Sequence, residues 1–353
     1  MSWILFYNFI SAITKVHELK EASFYTTSDS KVQCRLCPHE CTIKRNATGT
    51  CGVRRNHNGK LISENYAVLS AINFDPIEKK PLYHFFPGSV ILSLGSAGCN
   101  LKCKCCQNWQ ISQAALSDFA YSRSSSPDEI VKMAGSKPGN LGIAYTYNEP
   151  TVWFEYMMDT ARLIHEAGMK NCMVSNGYIN EEPLLELIKY LDAFNIDLKA
   201  FNEQFYKTQS GATLEPVKKT LYLLVKNHKH VEITNLVIPT LNDDEQEFTE
   251  MVNWIAKELG KKTVLHLSRY HPMYKLDIKA TGSDLLDDFY NIASEKLDYV
   301  YVGNIHIKDY QNTRCVKCGK TVIRRTGYFI EKSGITSSGS CRFCGEAIAD
   351  MQH

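Results

Sequence analysis

Beyond about residue 88, compact apolar runs alternate with amphipathic stretches at helical spacing. The runs Val90–Leu94, Gly142–Tyr147, Lys170–Val174, Ala193–Leu198, His230–Ile238, Thr263–Leu267 and Tyr299–Val302 predict seven strands. Between them, Thr151–Gly168 predicts a helix: Trp153, Tyr156, Met157, Ile164 and Ala167 fall on one face, and Gly168 suits the C-cap. Asp243–Gly260 and Ser283–Leu297 carry the same pattern. Strands alternating with helices predict a parallel sheet. The expected fold class is therefore α/β, a partial or full parallel (β/α) barrel with small Cys-rich metal-binding appendages at both ends. Three regions are expected: an N-terminal extension and Cys-rich segment over 1–87, the barrel over 88–310, and a zinc-ribbon-like module over 311–353. In such barrels, polar residues at the C-terminal ends of strands become the candidates for chemistry.

Composition narrows the field only slightly. Of 353 residues, 44% are hydrophobic and 22% charged, as in ordinary globular proteins. A net charge of +2 gives no field for nucleic acid or anionic membranes, so neither is expected as a partner. The apolar run Trp3–Tyr7 is too short to span a bilayer and lacks the basic flank of a signal peptide. Met1–Ile13 is expected to be an N-terminal helix or extension.

The cysteines change the picture more. Twelve of the thirteen fall in three tight groups, and Cys172 stands alone. Close C-x2-C pairs in a long, enzyme-like chain point to metal ligation in a reducing compartment, so a cytoplasmic location is expected. Cys99, Cys103 and Cys106 form C-x3-C-x2-C directly after the first predicted strand. Three thiolates on one loop can hold three irons of a 4Fe–4S cubane and leave the fourth iron open to a small molecule. Cys315-x2-Cys318 and Cys341-x2-Cys344, each followed by glycine (Gly319, Gly345), form a zinc-ribbon pattern. Cys34, Cys37, Cys41 and Cys51 could hold zinc or an auxiliary iron–sulfur cluster; zinc is preferred, because nothing nearby in the sequence suggests an electron path.

With these residues in view, the chain resembles the radical S-adenosylmethionine (SAM) superfamily. It is similar to organic-radical-activating enzymes such as the pyruvate formate-lyase activases, and more narrowly to the AmmeMemoRadiSam system radical SAM enzymes. The matching stretches are Asp75–Gly88, Gly98–Trp109, Tyr147–Pro150, Ser175–Gly177, Ile196–Lys199 and Arg269–Pro272.

The resemblance implies a barrel of the radical SAM type, and reductive cleavage of SAM at the cluster to a 5′-deoxyadenosyl radical. That radical abstracts hydrogen from an unidentified substrate, a protein or peptide being among the options. Tyr147, Asn148 and Glu149 match the segment that binds the SAM amino group. Ser175, Asn176 and Gly177 match a ribose- and carboxylate-contacting segment. Asp197 and Lys199 lie near SAM and substrate in the activases, and His271 matches an active-site position there.

The residue before the third ligand, usually aromatic in the superfamily, is Cys105; Trp109 is expected to supply the adenine contact, and Cys105 to act as a small buried hydrophobe. Implied partners are SAM, an electron donor such as ferredoxin or flavodoxin, and a protein substrate or AmmeMemo-type partner proteins. The main rivals are a multi-zinc protein- or nucleic-acid-binding module without catalysis and an iron–sulfur electron carrier.

Overall fold

The structure, a computed structural model, describes residues 19–28, 31–113, 116 and 123–351. The expected helix over Met1–Ile13 lies outside them.

Eight strands form the central sheet, β1 (Ala71–Pro76), β2 (Val90–Gly95), β3 (Asn140–Tyr145), β4 (Lys170–Ser175), β5 (Ala193–Asp197), β6 (His230–Val237), β7 (Val264–Arg269) and β8 (Val300–Gly303). Each pairs with its neighbour in sequence, and β1 and β8 are the two edges, so the barrel is partial. β2 to β8 run parallel, and all seven coincide with the predicted runs to within two residues at either end. Ile91–Gly95, Gly142–Tyr145 and Ala193–Ile196 are buried throughout. Helices cover one face and side chains fill the other, which is why these strands read as continuous apolar runs.

β1 has no counterpart among the predicted strands. It pairs antiparallel with β2, from Ala71 opposite Gly95 to Pro76 opposite Val90, and belongs to the main sheet although it precedes residue 88. Its alternation of Ile72 and Phe74 with Asn73 and Asp75 is that of an edge strand with one polar side, and Pro76 ends it.

Helices α1 (Pro127–Ser136), α2 (Phe154–Glu166), α3 (Glu181–Leu187), α4 (Glu215–Lys226), α5 (Glu245–Trp254) and α6 (Ser283–Ser294) connect the parallel strands. α2 follows a short 3-10 turn over Pro150–Trp153 and stops at Gly168, whose φ of 72° is the left-handed conformation a C-cap glycine adopts. Trp153, Tyr156, Met157 and Ile164 are buried as predicted, but Ala167 lies exposed past the last helical turn.

Short antiparallel strands build the N-terminal segment around Cys34–Cys51. It is tied to α2 by a buried ion pair: Arg54 Nη1 donates to both carboxylate oxygens of Glu155 at 3.0 and 2.9 Å. At the other end of the chain, Thr313–Arg314, Thr321–Thr326 and Phe329–Glu331 form a three-stranded sheet around the last cysteines. Among the described residues no helix is long and apolar enough to cross a membrane.

Candidate active site

β2 runs directly into the loop that carries Cys99, Cys103, Cys105 and Cys106. Gly98 makes the turn with φ of 86°, and a Cβ there would lie 2.7 Å from the carbonyl oxygen of Cys51 and from a Val53 methyl. Only glycine lets the loop pass so close. Backbone bonds from Gly98 to Ile111, Lys102 to Ser210 and Lys104 to Gln209 then hold the loop at 2.8–3.0 Å. Asn148 adds a side-chain staple, accepting from Ser96 N–H at 3.0 Å and donating to Gly98 C=O at 2.8 Å. Its amide is therefore occupied in positioning the cysteine loop.

The four thiols open into a cavity of about 710 Å³ at the C-terminal ends of the strands, within the range of ligand pockets. Tyr147, Asn148, Glu149, Ser175, Asn176, Asp197 and Lys199 line the same cavity. The structure thus gathers residues from four strand ends that the sequence holds up to 100 positions apart.

Glu149 is the polar centre of this wall. Its Oε1 accepts from Thr151 N–H at 3.0 Å, Thr151 O–H at 2.7 Å and Ser175 O–H at 2.8 Å, while Oε2 accepts only from Asn176 N–H at 2.8 Å. Burial raises its pKa, opposed by those donors. Asn176 also donates through Nδ2 to Asn100 at 2.9 Å and approaches Cys99 Sγ at 3.8 Å. Gly177 sits behind the wall with φ of 70°, where a Cβ would meet Ile196 at 2.9 Å.

Across the cavity, Lys199 pairs with Asp197 at 2.8 Å. Burial works against its charge, but Asp197 and the thiols of Cys103 and Cys105 hold the ammonium protonated well above its ordinary range. Burial likewise pushes the Cys99 thiol up strongly, with Glu149 adding to it, and the Cys105 thiol up to about 12. A cationic metal centre is what would draw these protons off. Cys105 lies on the cavity wall beside the triad and is only partly buried.

Two expected contacts are not brought to the site. Trp109 is exposed and stacks on Tyr274 at 5.2 Å instead of facing the cavity, because the chain turns into a helix there. His271 is exposed and lies outside the cavity wall; Ser268 and Asn304, bonded at 2.7 Å, occupy that side.

The structure adds residues to which the sequence attached no role. Tyr147 donates its hydroxyl to Asp75 at 2.6 Å, and Lys80 lies 4.5 Å over its ring. Burial opposes ionisation of Asp75, but Tyr147 and Lys80 hold its carboxyl well below the usual range. Asn73, Lys79 and Tyr328 line the same side, Tyr328 coming from the hairpin of the C-terminal module. The polar alternation of β1 was the available signal for Asn73 and Asp75.

The outer cysteine groups differ from each other. The sulfurs of Cys315, Cys318, Cys341 and Cys344 all lie within 4.8 Å of one another, with 3.5 Å between Cys315 and Cys344 and 3.7 Å between Cys318 and Cys341. Ligands 2.3 Å from a tetrahedral zinc lie about 3.8 Å apart, so this quartet is arranged to hold one metal ion. Gly319 and Gly345, with φ of 71° and 79°, close the two knuckles. Cys34, Cys37, Cys41 and Cys51 line a separate small cavity of about 20 Å³.

Comparison with known proteins agrees with this geometry. A family model described as "Radical SAM superfamily" matches residues 94–254, the span from β2 to α5. A protein of Methanocaldococcus jannaschii, "Uncharacterized protein MJ0808", is 43% identical over 94% of this chain and 99% of its own length. "Uncharacterized protein MJ0674" of the same organism is 26% identical over 69% of this chain and 67% of its own. The pyruvate formate-lyase-activating enzyme of Clostridium pasteurianum is 24% identical over 50% of this chain and 73% of its own. The chain belongs to the radical SAM superfamily. As a radical SAM protein it is an enzyme whose family uses a 4Fe–4S cluster and SAM, and the cysteine loop after β2 lies within the matched span.

Proposed function

We propose that this radical SAM enzyme is of the organic-radical-activating type, similar to the AmmeMemoRadiSam system enzymes, with Cys99, Cys103 and Cys106 holding three irons of its cluster. One observation carries the reading. These three thiols open into the same 710 Å³ cavity as Glu149, Ser175, Asn176, Asp197 and Lys199, at the strand ends where barrel enzymes place their chemistry. The donor set fits a cluster. Among the described residues the C-terminal quartet is the group that converges on a single ion, and the thiols after β2 are not part of it.

When bound, the cluster and SAM supply a one-electron reductive cleavage that yields 5′-deoxyadenosine once hydrogen has been taken from the substrate. The chain's own residues bind and orient. Glu149 keeps free lone pairs on Oε2 for the methionine ammonium of SAM. The Lys199 ammonium faces the thiols and offsets their charge, and with Asp197 it frames the methionine carboxylate. Ser175 and Asn176 present polar groups to the ribose. Asn148 fixes the loop rather than touching SAM.

Named activating enzymes among the relatives support the activating type. They comprise the C. pasteurianum enzyme, the 4-hydroxyphenylacetate decarboxylase activating enzyme of Clostridium scatologenes and the (2S)-3-sulfopropanediol dehydratase activating enzyme of Klebsiella oxytoca, at 20–24% identity. A protein or peptide substrate, AmmeMemo-type partners and reduction by ferredoxin or flavodoxin in the cytoplasm follow from this reading. Zinc is the metal proposed for the C-terminal quartet.

Anaerobic reconstitution with iron and sulfide, followed by dithionite and SAM, tests it. Wild-type protein forms 5′-deoxyadenosine and the Cys99→Ala, Cys103→Ala, Cys106→Ala triple variant forms none. Turnover surviving in the triple variant would overturn the assignment.

A further inference from the structure

We propose that Asp75, itself held by Lys80, is a positioning residue for SAM: through the Tyr147 hydroxyl it anchors the strained turn that carries Asn148 and Glu149 into the site. The inference rests on the reading of Glu149 as the acceptor for the methionine ammonium.

The turn lies directly after β3. Asn148 N–H donates to Thr146 C=O at 2.9 Å across Tyr147, whose φ is 69°. A bond that closes three residues around a positive φ makes the rare, strained form of the γ-turn. Glycine adopts such a backbone freely, whereas a bulky side chain there is an outlier. Strain of this kind persists only where the surroundings over-determine it. Its consequence reaches the site at once. The next residue, Asn148, bridges Ser96 and Gly98 at the start of the cysteine loop, and Glu149 follows on the cavity wall.

Three contacts hold Tyr147 in this form. Its ring side packs on Gly95, where a Cβ would stand 2.9 Å from the tyrosine Cδ2 and 3.1 Å from its Cβ. Its carbonyl accepts from Asn108 Nδ2 at 2.7 Å. Its hydroxyl donates to Asp75 Oδ2 at 2.6 Å, the one contact of the three with a charged partner. Lys80 donates to the same oxygen at 2.9 Å and stands 4.5 Å over the tyrosine ring, while Lys79 reaches Oδ1 at 3.2 Å. Asp75 and Lys80 are 6% and 3% exposed. A hydrogen bond to a buried, paired carboxylate is among the strong ones, and its acceptor does not move. The side-chain hydrogen bonds of Asp75 run to Lys79, Lys80 and Tyr147, so its influence on Glu149 passes through the tyrosine. An edge strand outside the parallel set thereby fixes a turn at the end of β3, across β2.

Equilibrium dialysis of SAM with the anaerobically reconstituted enzyme, together with KM and kcat for uncoupled SAM cleavage, tests the proposal. Tyr147→Phe removes only the hydroxyl and should weaken SAM binding and raise KM by about tenfold, with little change in kcat. Tyr147→Gly takes up the same backbone without an anchor and should bind SAM more tightly than Tyr147→Phe. Asp75→Asn should weaken binding a few-fold with Tyr147 in place and have no effect in the Tyr147→Gly background. Wild-type SAM binding in Tyr147→Phe overturns the anchor, as does Tyr147→Gly being the weaker of the two. An equal effect of Asp75→Asn in both backgrounds also overturns it, since Asp75 would then act without the tyrosine. Glu149→Gln separates the two levels. If it leaves SAM binding unchanged, the Glu149 reading falls and takes the anchor with it; if it weakens binding while Tyr147→Phe does not, only the anchor falls.

Discussion

Two buried carboxylates, Glu149 at the C-terminal ends of the strands and Glu232 near their N-terminal ends, are 3% and 0% exposed and each accept four hydrogen bonds. Their protonation runs in opposite directions. Glu232 divides its donors evenly, with His84 N–H and His230 on Oε1 and Tyr83 N–H and His266 on Oε2. Burial alone would raise its pKa, but the two imidazoles and these bonds hold it well below the ordinary value. Glu149 has three donors crowded on one oxygen, a thiol of Cys99 for a neighbour, and a raised pKa. The same side chain at the same depth is thus saturated and structural at one end, and left with capacity towards a cavity at the other. Hydrogen bonds and neighbouring charge, more than burial, separate structure from site.

The saturated end also docks the C-terminal module. His84 donates Nδ1–H to Ile348 C=O at 2.5 Å and accepts from the Tyr301 hydroxyl at 2.6 Å, while the Arg325 guanidinium lies 4.0 Å over Tyr83. Replacing Glu232 should therefore have the largest effect on the fold. Glu232→Gln turns an amide N–H₂ towards two of the four donors and removes the charge opposite both imidazoles, and is expected to cost about 3–5 kcal/mol in denaturant unfolding. SAM cleavage per folded molecule should stay unchanged; a selective loss of turnover would break the comparison.

The next effect is acid lability. Burial pushes His84 down from 6.5 to about 4, so the folded protein keeps it neutral. The unfolded chain protonates it near 6.5, so its contribution is complete above that pH and is lost as pH falls towards about 4. The shift corresponds to about 3 kcal/mol. Thermal melting of wild type should drop between pH 7 and 4.5, and His84→Asn should flatten that dependence; an unchanged slope would remove His84 from the account.

At the open end, Lys199→Met should lower SAM cleavage by about tenfold to a hundredfold, 1.4–2.7 kcal/mol, with little change in melting temperature. A large fall in stability without loss of cleavage would place Lys199 among the structural groups. The smallest expected effect is that of Tyr328→Ala, a 58% exposed residue on the cavity rim. It should raise the KM for substrate by a few-fold and leave uncoupled SAM cleavage intact, because the C-terminal hairpin borders the cavity without reaching the cysteine loop.

Local pattern fixed a large part of this molecule. Seven buried strands announce themselves as apolar runs, since a parallel sheet covered on both faces needs no alternation. Cys99, Cys103 and Cys106 lie within eight positions, so loop geometry alone brings them together. The glycines after Cys318 and Cys344 mark the knuckles for the same reason. What the sequence left open depends on distant partners. β1 is half polar and became a strand only because β2 offered an edge. Trp109 and His271 sit close to cavity-lining residues in sequence, yet turn outward because the helix after Asn108 and the loop after Arg269 point them away from the cavity. Asp75, Lys80 and Tyr147 become a cluster only once β1 folds against β2. The division of labour between Glu149 and Glu232, and the spacing that sets one cysteine quartet apart from the other, were likewise decided in three dimensions. Spacing along the chain fixes which groups can be neighbours, whereas the distances and charges that decide their chemistry come from other segments, 26 residues away for Ser175 on Glu149 and 148 for His84 on Glu232.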